Sequence, residues 1–413
     1  MTSQVILLNN MAIALASDST ITTQDRSSRQ RTANSSEKIF AVGGDHNLAV
    51  LSNGNADIGV FPVDALLTEW ERTLKSTLST VDDYITSFIQ WLRNSDAFKH
   101  EDMENQLVID MIDEIIRPAY LAIKKVCEPL DLGFESDAGA VSDEIFECIL
   151  EQISYLGDWN YYDLASDKWV SKTIIDLKDS ITDRITWWLD DVPNLPNLDA
   201  AVWDLVRIGL GRKTGMSPAG IVFVGFGDSQ LLPAYSYLDI FGVARGVVFY
   251  RENQKYEHKS QQGWYRFLAQ TEAQRTFLDG VSNELSGATN EFMLTNMAEL
   301  KLQLNEVIDE QDPKKWVTTF EEHSTTLTEK YFDLIRSSRT TNDEKLQDVI
   351  RLAPESDLAL LASMFVSIEA FSELISSPQP TVGGPIDVAV MNKRHGFRWV
   401  RHKNLEGGSN KLF

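Results

Sequence analysis

The most informative segment of the chain is residues 2–18, which read TSQVILLNNMAIALASD. Two apolar runs, residues 5–8 and 11–16, flank Asn9 and Asn10, and asparagine tolerates the positive φ angles of a two-residue turn. The segment therefore predicts a β-hairpin that ends at Asp18. Because apolar residues occupy both alternating positions of each run, we expect the sheet to be covered on both faces.

More strands are predicted on the C-terminal side of this hairpin. Residues 21–37 are polar and predict a loop, whereas residues 38–42 and 47–52 predict a second pair of strands. We therefore expect an N-terminal sheet of at least four strands. Strands are also predicted at residues 221–226, 234–240, 247–250, 386–391 and 397–400.

Two long segments between these strands have a helical pattern. Residues 63–214 carry apolar side chains at spacings of three and four, and residues 264–376 are again helical. The order strands, helices, strands, helices, strands predicts an α+β fold with two stacked antiparallel sheets between helical layers, because helices that interrupt a series of strands must pack on the outer faces. We expect a single domain over residues 1–413.

The composition disfavours several classes of function. The 413 residues carry a formal net charge of −23 without a cluster of lysine and arginine, so we expect neither nucleic acid nor a membrane surface as partner. Cys127, Cys148 and the histidines lack the spacing of a metal site, and we expect no cofactor. Without a secretory signal or a long apolar run, the chain is expected to be cytoplasmic.

Three residues near the first hairpin are candidates for catalysis. A threonine at the N-terminus combines nucleophile and base, since its α-amino group has a pKa of about 7.7–8.0 and can accept the hydroxyl proton. Removal of Met1 would expose Thr2, the hairpin returns Asp18 to the same place, and Lys38 begins a neighbouring strand. An ammonium group beside the amine lowers the amine's pKa, and a carboxylate holds that ammonium. Taken singly, Asp18 could cap a turn and Lys38 could be a solvated charge.

Together these residues resemble the start of a proteasome β subunit of the bacterial proteasome-like type, within the N-terminal-nucleophile (Ntn) hydrolases. That family has a threonine, a hairpin ending in small residues and aspartate, then Lys-Ile, then a Ser-Gly-containing turn and Ala-Asp. Thr2, Asp18, Lys38 and residues 52–57 match this pattern. The sixteen-residue interval from Thr2 to Asp18 is the family's own, and the interval to Lys38 is about four residues longer and falls in the polar segment.

The resemblance implies a four-layer αββα sandwich and a threonine-type peptidase that acts on peptides or unfolded proteins. It also implies a backbone N–H in the turn after the Lys38 strand that stabilises the oxyanion, either that of Gly54 or that of Asn53. Assembly into homo-oligomers is expected, and an ATPase partner is compatible with it. Residues 96–217 and 283–353 have no counterpart in the family and are interpreted as two helical insertions.

Two features depart from the family pattern. The aspartate and serine that commonly precede its Gly-Gly pair are replaced by Gln379 and Val382, and its Ser-Gly-rich turn before the third helix has only residues 260–263 as a counterpart. Two other functions are therefore open: a non-catalytic proteasome-like scaffold or interaction protein, and an Ntn amidase acting on a small molecule.

Overall fold

The computed structural model describes residues 2–24, 30–33, 36–131, 138–192, 195–212, 215–259, 262–307 and 313–403. The strands, in chain order, are β1 (Ser3–Leu8), β2 (Ile13–Ser17), β3 (Ile21–Gln24), β4 (Gln30–Ala33), β5 (Ile39–Ala41), β6 (Leu48–Gly54), β7 (Asp57–Ile58), β8 (Phe61–Pro62), β9 (Ala219–Gly225), β10 (Ala234–Ala244), β11 (Val247–Glu257), β12 (Trp264–Ala269), β13 (Asp387–Asn392) and β14 (Gly396–Arg401). The helices are α1 (Val63–Glu71), α2 (Val81–Asn94), α3 (Glu101–Asp131), α4 (Ala138–Gly157), α5 (Asp167–Asp176), α6 (Lys178–Leu189), α7 (Leu198–Gly209), α8 (Glu272–Asp279), α9 (Asn283–Val307), α10 (Pro313–Leu352) and α11 (Glu355–Ser376).

The described chain is mixed α/β and contains two large antiparallel sheets. The first sheet has the strand order β12-β1-β2-β13-β14, and the second has the order β11-β10-β9-β6-β5. Short pairs, β3 with β4 and β7 with β8, lie outside them. The predicted hairpin is confirmed, because β1 pairs antiparallel with β2 in a register that sets Gln4 opposite Ser17.

The prediction of one N-terminal sheet of four strands is wrong. β1 and β2 belong to the first sheet, while β5 and β6 belong to the second. β6 pairs with β9, so that Gly54 lies opposite Ala219. Contacts between residues far apart in sequence thus divide the N-terminal strands between two sheets.

Two local predictions are also corrected. The segment assigned to a polar loop contains the β3–β4 pair. The segment 264–376 begins with a strand rather than a helix, since β12 pairs along the whole of β1, from Ser3 opposite Ala269 to Leu8 opposite Trp264. This pairing continues the first sheet on the side of β1 away from β2.

The prediction that both faces of the first hairpin are covered is confirmed, because every residue of β1 and β2 is buried. Alternate residues of β1 enter different cores. Ile6 and Leu8 pack with residues of the second sheet, such as Leu51 and Val222. Val5 and its alternating neighbours instead pack with α10 and α11.

The second sheet has a separate core on its other face. Val50 and Phe223 of that sheet pack with Trp70 of α1 and Phe88 of α2. The start of α2 is set by Thr80, whose side chain accepts a hydrogen bond from Asp83 N–H while the Asp83 carboxylate accepts one from Thr80 N–H. Such a capping box satisfies backbone donors that have no partner within the helix.

The segment interpreted as the first insertion, residues 96–217, contains α3 to α7. These helices share a core of their own that includes Ile112 and Val206, and this core meets the second sheet at Phe241 and Phe249. The segment interpreted as the second insertion contains α9 and α10.

Helix α11 is the one described helix that is long and apolar enough to cross a membrane by length and composition alone. A third (33%) of the residues in its most apolar window are buried. Leu358 and Val366 on its buried side pack with β1, β2 and β13 in the core on the outer face of the first sheet.

Asn9, in the turn between β1 and β2, ties this hairpin to the end of α10. Its Oδ1 accepts hydrogen bonds from Met11 N–H at 2.9 Å and Ala12 N–H at 3.1 Å. Its Nδ2 donates to the carbonyls of Ile350 at 2.8 Å and Ala353 at 3.0 Å. Because the side chain is buried, the interaction replaces contacts with water at a helix end whose carbonyls lack partners within the helix.

Asn9→Ala is expected to lower the free energy of unfolding by about 2–3 kcal/mol, since it leaves buried backbone groups unpaired. Asn9→Asp is the matched control, because it retains the acceptor for the turn but loses the donor and places a negative charge at a helix C-terminus. Urea unfolding of both variants tests this. Wild-type stability in Asn9→Ala would contradict the assigned role.

Candidate active site around Thr2

Thr2 precedes β1 at the edge of the space between the two sheets. The Gln270 N–H donates to the Thr2 carbonyl at 2.8 Å, which extends the pairing of β12 with β1 by one step. Side chains alternate along a strand, so Thr2 shares a face with Gln4 and Ile6, the face that meets the second sheet. Thr2 is buried, and Met1 lies outside the described residues.

Asp18 and Lys38, the predicted partners of Thr2, form a buried ion pair at the start of β1. Lys38 Nζ lies 2.7 Å from Asp18 Oδ1 and donates a second hydrogen bond to the Thr20 carbonyl at 2.6 Å. The Ser3 N–H donates to the same Asp18 oxygen at 3.0 Å, so this carboxylate lies against the residue that follows Thr2. The sequence-predicted Asp18 and Lys38 are thus brought together beside the start of β1.

The second oxygen of Asp18 is also satisfied. Asp18 Oδ2 accepts hydrogen bonds from Thr20 N–H and Gly383 N–H, both at 3.2 Å. Asp18 is fully buried, and a buried carboxylate is tolerated only when its oxygens are paired in this way. The Gly-Gly segment before β13 therefore contributes to the site through its backbone.

Burial lowers the pKa of the Lys38 ammonium, while the adjacent Asp18 carboxylate raises it. The charge of Lys403 lowers this pKa further, and that of Asp387 raises it. The net effect is a lysine that loses its proton at lower pH than a solvated one.

Gly54 and Asn53, the two candidate oxyanion donors, differ in the direction of their backbone N–H groups. The Ser52 N–H donates to the Lys38 carbonyl at 3.1 Å. Since successive N–H groups of a strand point to opposite edges, the Gly54 N–H faces the same edge as that of Ser52, whereas that of Asn53 faces β9. The geometry therefore favours Gly54.

Asn53 has a different role in the site. Its buried side chain donates to Gln4 Oε1 at 3.2 Å and accepts from the Tyr237 hydroxyl at 3.0 Å. Burial raises the pKa of Tyr237 to about 12, so the hydroxyl keeps the proton that it donates. Gln4 in turn donates to the Ser52 carbonyl at 2.8 Å, and this network joins β1 to β6.

Of the positions that depart from the family pattern, Val382 directly precedes Gly383, whose backbone N–H binds Asp18, but an apolar side chain cannot supply the hydrogen bond of a serine. Gln379 is exposed, and Val382 is a buried apolar residue. Residues 262 and 263 come before β12; Ser260 and Gln261 lie outside the described residues. The turn between β12 and α8 is instead formed by Gln270 and Thr271.

Sequence reasoning missed a polar cluster formed by Gln270, Thr381 and Glu373. The Thr381 hydroxyl lies 3.3 Å from Glu373 Oε2 and 3.4 Å from Gln270 Oε1, and Gln270 Nε2 lies 3.4 Å from Glu373 Oε1. The cluster borders Thr2, because Gln270 binds the Thr2 carbonyl. Gln270 is over a hundred residues from the other two members in sequence, and no local motif marks the cluster.

Among the described residues, no group of three or more histidine, cysteine, aspartate or glutamate side chains is placed to hold a metal ion. A cavity lies between α9 and α10, lined by residues such as Leu294 and Phe332, and is separate from Thr2.

No protein-family model matches the chain, and no curated protein matches it at a significant level.

Proposed function

We propose that the protein is a threonine-type peptidase whose nucleophile is Thr2 after removal of Met1. The observation that carries the proposal is the buried pair of Lys38 and Asp18, 2.7 Å apart, which contacts Ser3 at the start of β1. Burying a lysine ammonium costs free energy even when a carboxylate pairs with it, so a functional role would explain why the pair is buried. An ammonium next to the α-amino group that Thr2 would expose favours the neutral, proton-accepting form of that amine.

The proposal includes a fold, the four-layer αββα sandwich of the Ntn hydrolases, to which the proteasome β subunits belong. Three cores support it: one between the two sheets, one between the first sheet and α10 with α11, and one between the second sheet and α1 with α2. The helices at residues 96–217 and 283–353 are then additions to that framework.

The chemistry proceeds through an ester. Thr2 Oγ1 attacks the carbonyl carbon of a peptide bond, and the Thr2 amine takes the hydroxyl proton. The negative charge that develops on the carbonyl oxygen is met by the Gly54 N–H. The amine then returns the proton to the leaving nitrogen as the C–N bond breaks. Water, deprotonated by the same amine, cleaves the ester and restores Thr2.

The experiment pairs an intact-mass measurement with hydrolysis of a fluorogenic peptide. We expect the native protein to lack Met1 and to hydrolyse the peptide, and we expect Thr2→Ala to reduce the rate by at least about a thousandfold, because it removes the nucleophile. Thr2→Ser is the matched control, since it keeps both amine and hydroxyl. Retention of Met1 on the native protein would exclude the proposed nucleophile.

A small amide tested in parallel separates the peptidase from an amidase. A protein with a free Thr2 amine that cleaves small amides but no peptide would support the amidase, whereas a protein that cleaves neither would support the scaffold.

A further inference from the structure

A second buried carboxylate, Asp387, lies close to the Lys38–Asp18 pair. In the first sheet Gln4 is opposite Ser17, and Ser17 is opposite Asp387 on the next strand. The side chains of β13 alternate so that Asp387 shares a face with Ala389, which packs between the two sheets. Asp387 therefore lies in the same row of the sheet as Gln4, two strands away from β1, and on the face that meets the second sheet.

Lys403, just after β14, neutralises Asp387. Its backbone N–H donates to Asp387 Oδ1 at 2.9 Å, and its ammonium group contacts Oδ2. The two side chains are only 5% and 2% exposed, so the pair is as deeply buried as the Lys38–Asp18 pair. This contact requires the residues that follow β14 to keep a fixed position.

Residues next to Lys403 make further contacts. His402 stacks on Trp399 with ring centroids 4.0 Å apart, and its Nε2 lies 3.5 Å from a carboxylate oxygen of Glu37. Glu37 is the residue before Lys38. His402 therefore places the residues after β14 next to the residue that precedes Lys38.

Two buried carboxylates near one ammonium can compete for it. In a medium of low dielectric constant, an unpaired Asp387 would attract Lys38 strongly. Lys38 would then have two competing partners, of which only Asp18 holds it beside the start of β1. Both charges act on Lys38, because the charge of Lys403 lowers the pKa of its ammonium and that of Asp387 raises it.

We propose that Lys403 is a positioning residue: by pairing with Asp387 it removes that carboxylate as a competitor and keeps the Lys38 ammonium on Asp18, beside Thr2. As far as it concerns catalysis, this inference rests on the proposed peptidase function. The charged groups that surround Lys38 in the described chain and that any titration must include are Asp18, Asp387, Lys403, Glu37 and His402.

The test compares Lys403→Met, Asp387→Asn and the double variant. Lys403→Met leaves a free carboxylate, so the pKa of Lys38 should rise; Asp387→Asn leaves a free ammonium, so it should fall. The double variant removes both charges and should return the pKa to near the wild-type value. The pKa is measured by NMR titration of protein with ¹³C-labelled lysine, with the Lys38 signal assigned from Lys38→Arg.

Peptide hydrolysis gives the second readout. Lys403→Met should lose about tenfold or more of the rate, and its alkaline limb should move to higher pH, because one pKa unit corresponds to a tenfold change in equilibrium. The double variant should recover most of the rate. Lys393→Met is the matched control: Lys393 lies at the other end of β13 and binds the carbonyls of Gly227 and Asp228, so its loss should leave the pKa of Lys38 unchanged.

A purely structural role for Lys403 predicts a different pattern, with the double variant no better than Lys403→Met and the pKa of Lys38 the same in all variants. That result would overturn the proposal. If the wild type shows no hydrolysis that depends on Thr2, the proposed function fails, but the opposite shifts of the Lys38 pKa still decide whether Lys403 controls its partner. If Lys403→Met does not fold, Asp387→Asn and the double variant carry the same test.

Discussion

Replacing Lys38 with methionine is expected to slow peptide hydrolysis strongly and to lower the free energy of unfolding by about 3 kcal/mol. The Asp18 carboxylate, fully buried, would lose its only ammonium partner among the described residues. Its three backbone donors, Ser3, Thr20 and Gly383, remain, so the cost lies at the low end for a broken buried pair. The rate should fall by at least about a hundredfold, because the Thr2 amine loses the group that favours its neutral form.

A double variant separates the two effects of Lys38→Met. With Asp18→Asn added, no unpaired charge remains buried, so stability should recover while hydrolysis stays lost. Lys255→Met is the control for removal of a lysine, since the pair of Lys255 with Asp82 is half exposed and contributes at most about 1 kcal/mol. Urea unfolding and initial rates provide the measurements. Hydrolysis at the wild-type rate in Lys38→Met would remove Lys38 from the mechanism.

Gly54→Ala is expected to have the second large effect. Gly54 has a φ of +70°, and a Cβ built on it would lie 2.6 Å from the Pro218 carbonyl oxygen. The backbone of β6 would have to move, at a cost of about 2–5 kcal/mol from the left-handed conformation and the close contact together. Displacing the Gly54 N–H from the oxyanion should reduce the rate by about a hundredfold to a thousandfold.

Gly246→Ala is the matched control for this variant. Gly246 has a φ of +75° but open space where a Cβ would lie, so its replacement should cost only about 1–2 kcal/mol and leave hydrolysis intact. Denaturant unfolding and peptide hydrolysis of the two variants separate the strain of a positive φ from the contact at Pro218. Equal effects of the two substitutions on the rate would exclude Gly54 as the donor.

The predictable part of the candidate site is the part built from one hairpin and its neighbour. The pairing of β1 with β2 follows from the two apolar runs around Asn9 and Asn10, and it brings Asp18 to Ser3. Lys38 could be placed because it starts a strand. Gln270 and Thr381 could not be placed, since they belong to segments far from Thr2 in sequence. Lys403 could not be placed either, because its partner Asp387 reaches the site only through the pairing of β13 with β2.

The errors in the fold have the same origin. Trp264, Tyr265 and Phe267 are aromatic residues that suit a helix face as well as a strand, and the strand β12 is decided by its partner β1. Division of the N-terminal strands between two sheets depends on the pairing of β6 with β9.

The amino-acid sequence by itself determined the first hairpin, the helical character of most of the two long segments and the candidates Thr2, Asp18 and Lys38, because local patterns of apolar and turn residues depend on near neighbours alone. Only the tertiary structure decided which sheet each strand joins and how Lys403 reaches Asp387. It also decided which backbone N–H, that of Asn53 or that of Gly54, points to the edge of β6 that faces Lys38. The physical reason is that strand pairing gains its free energy from partners distant in the chain, and one sequence pattern is compatible with many such partners. A buried ion pair then forms only where the paired strands bring its two residues together.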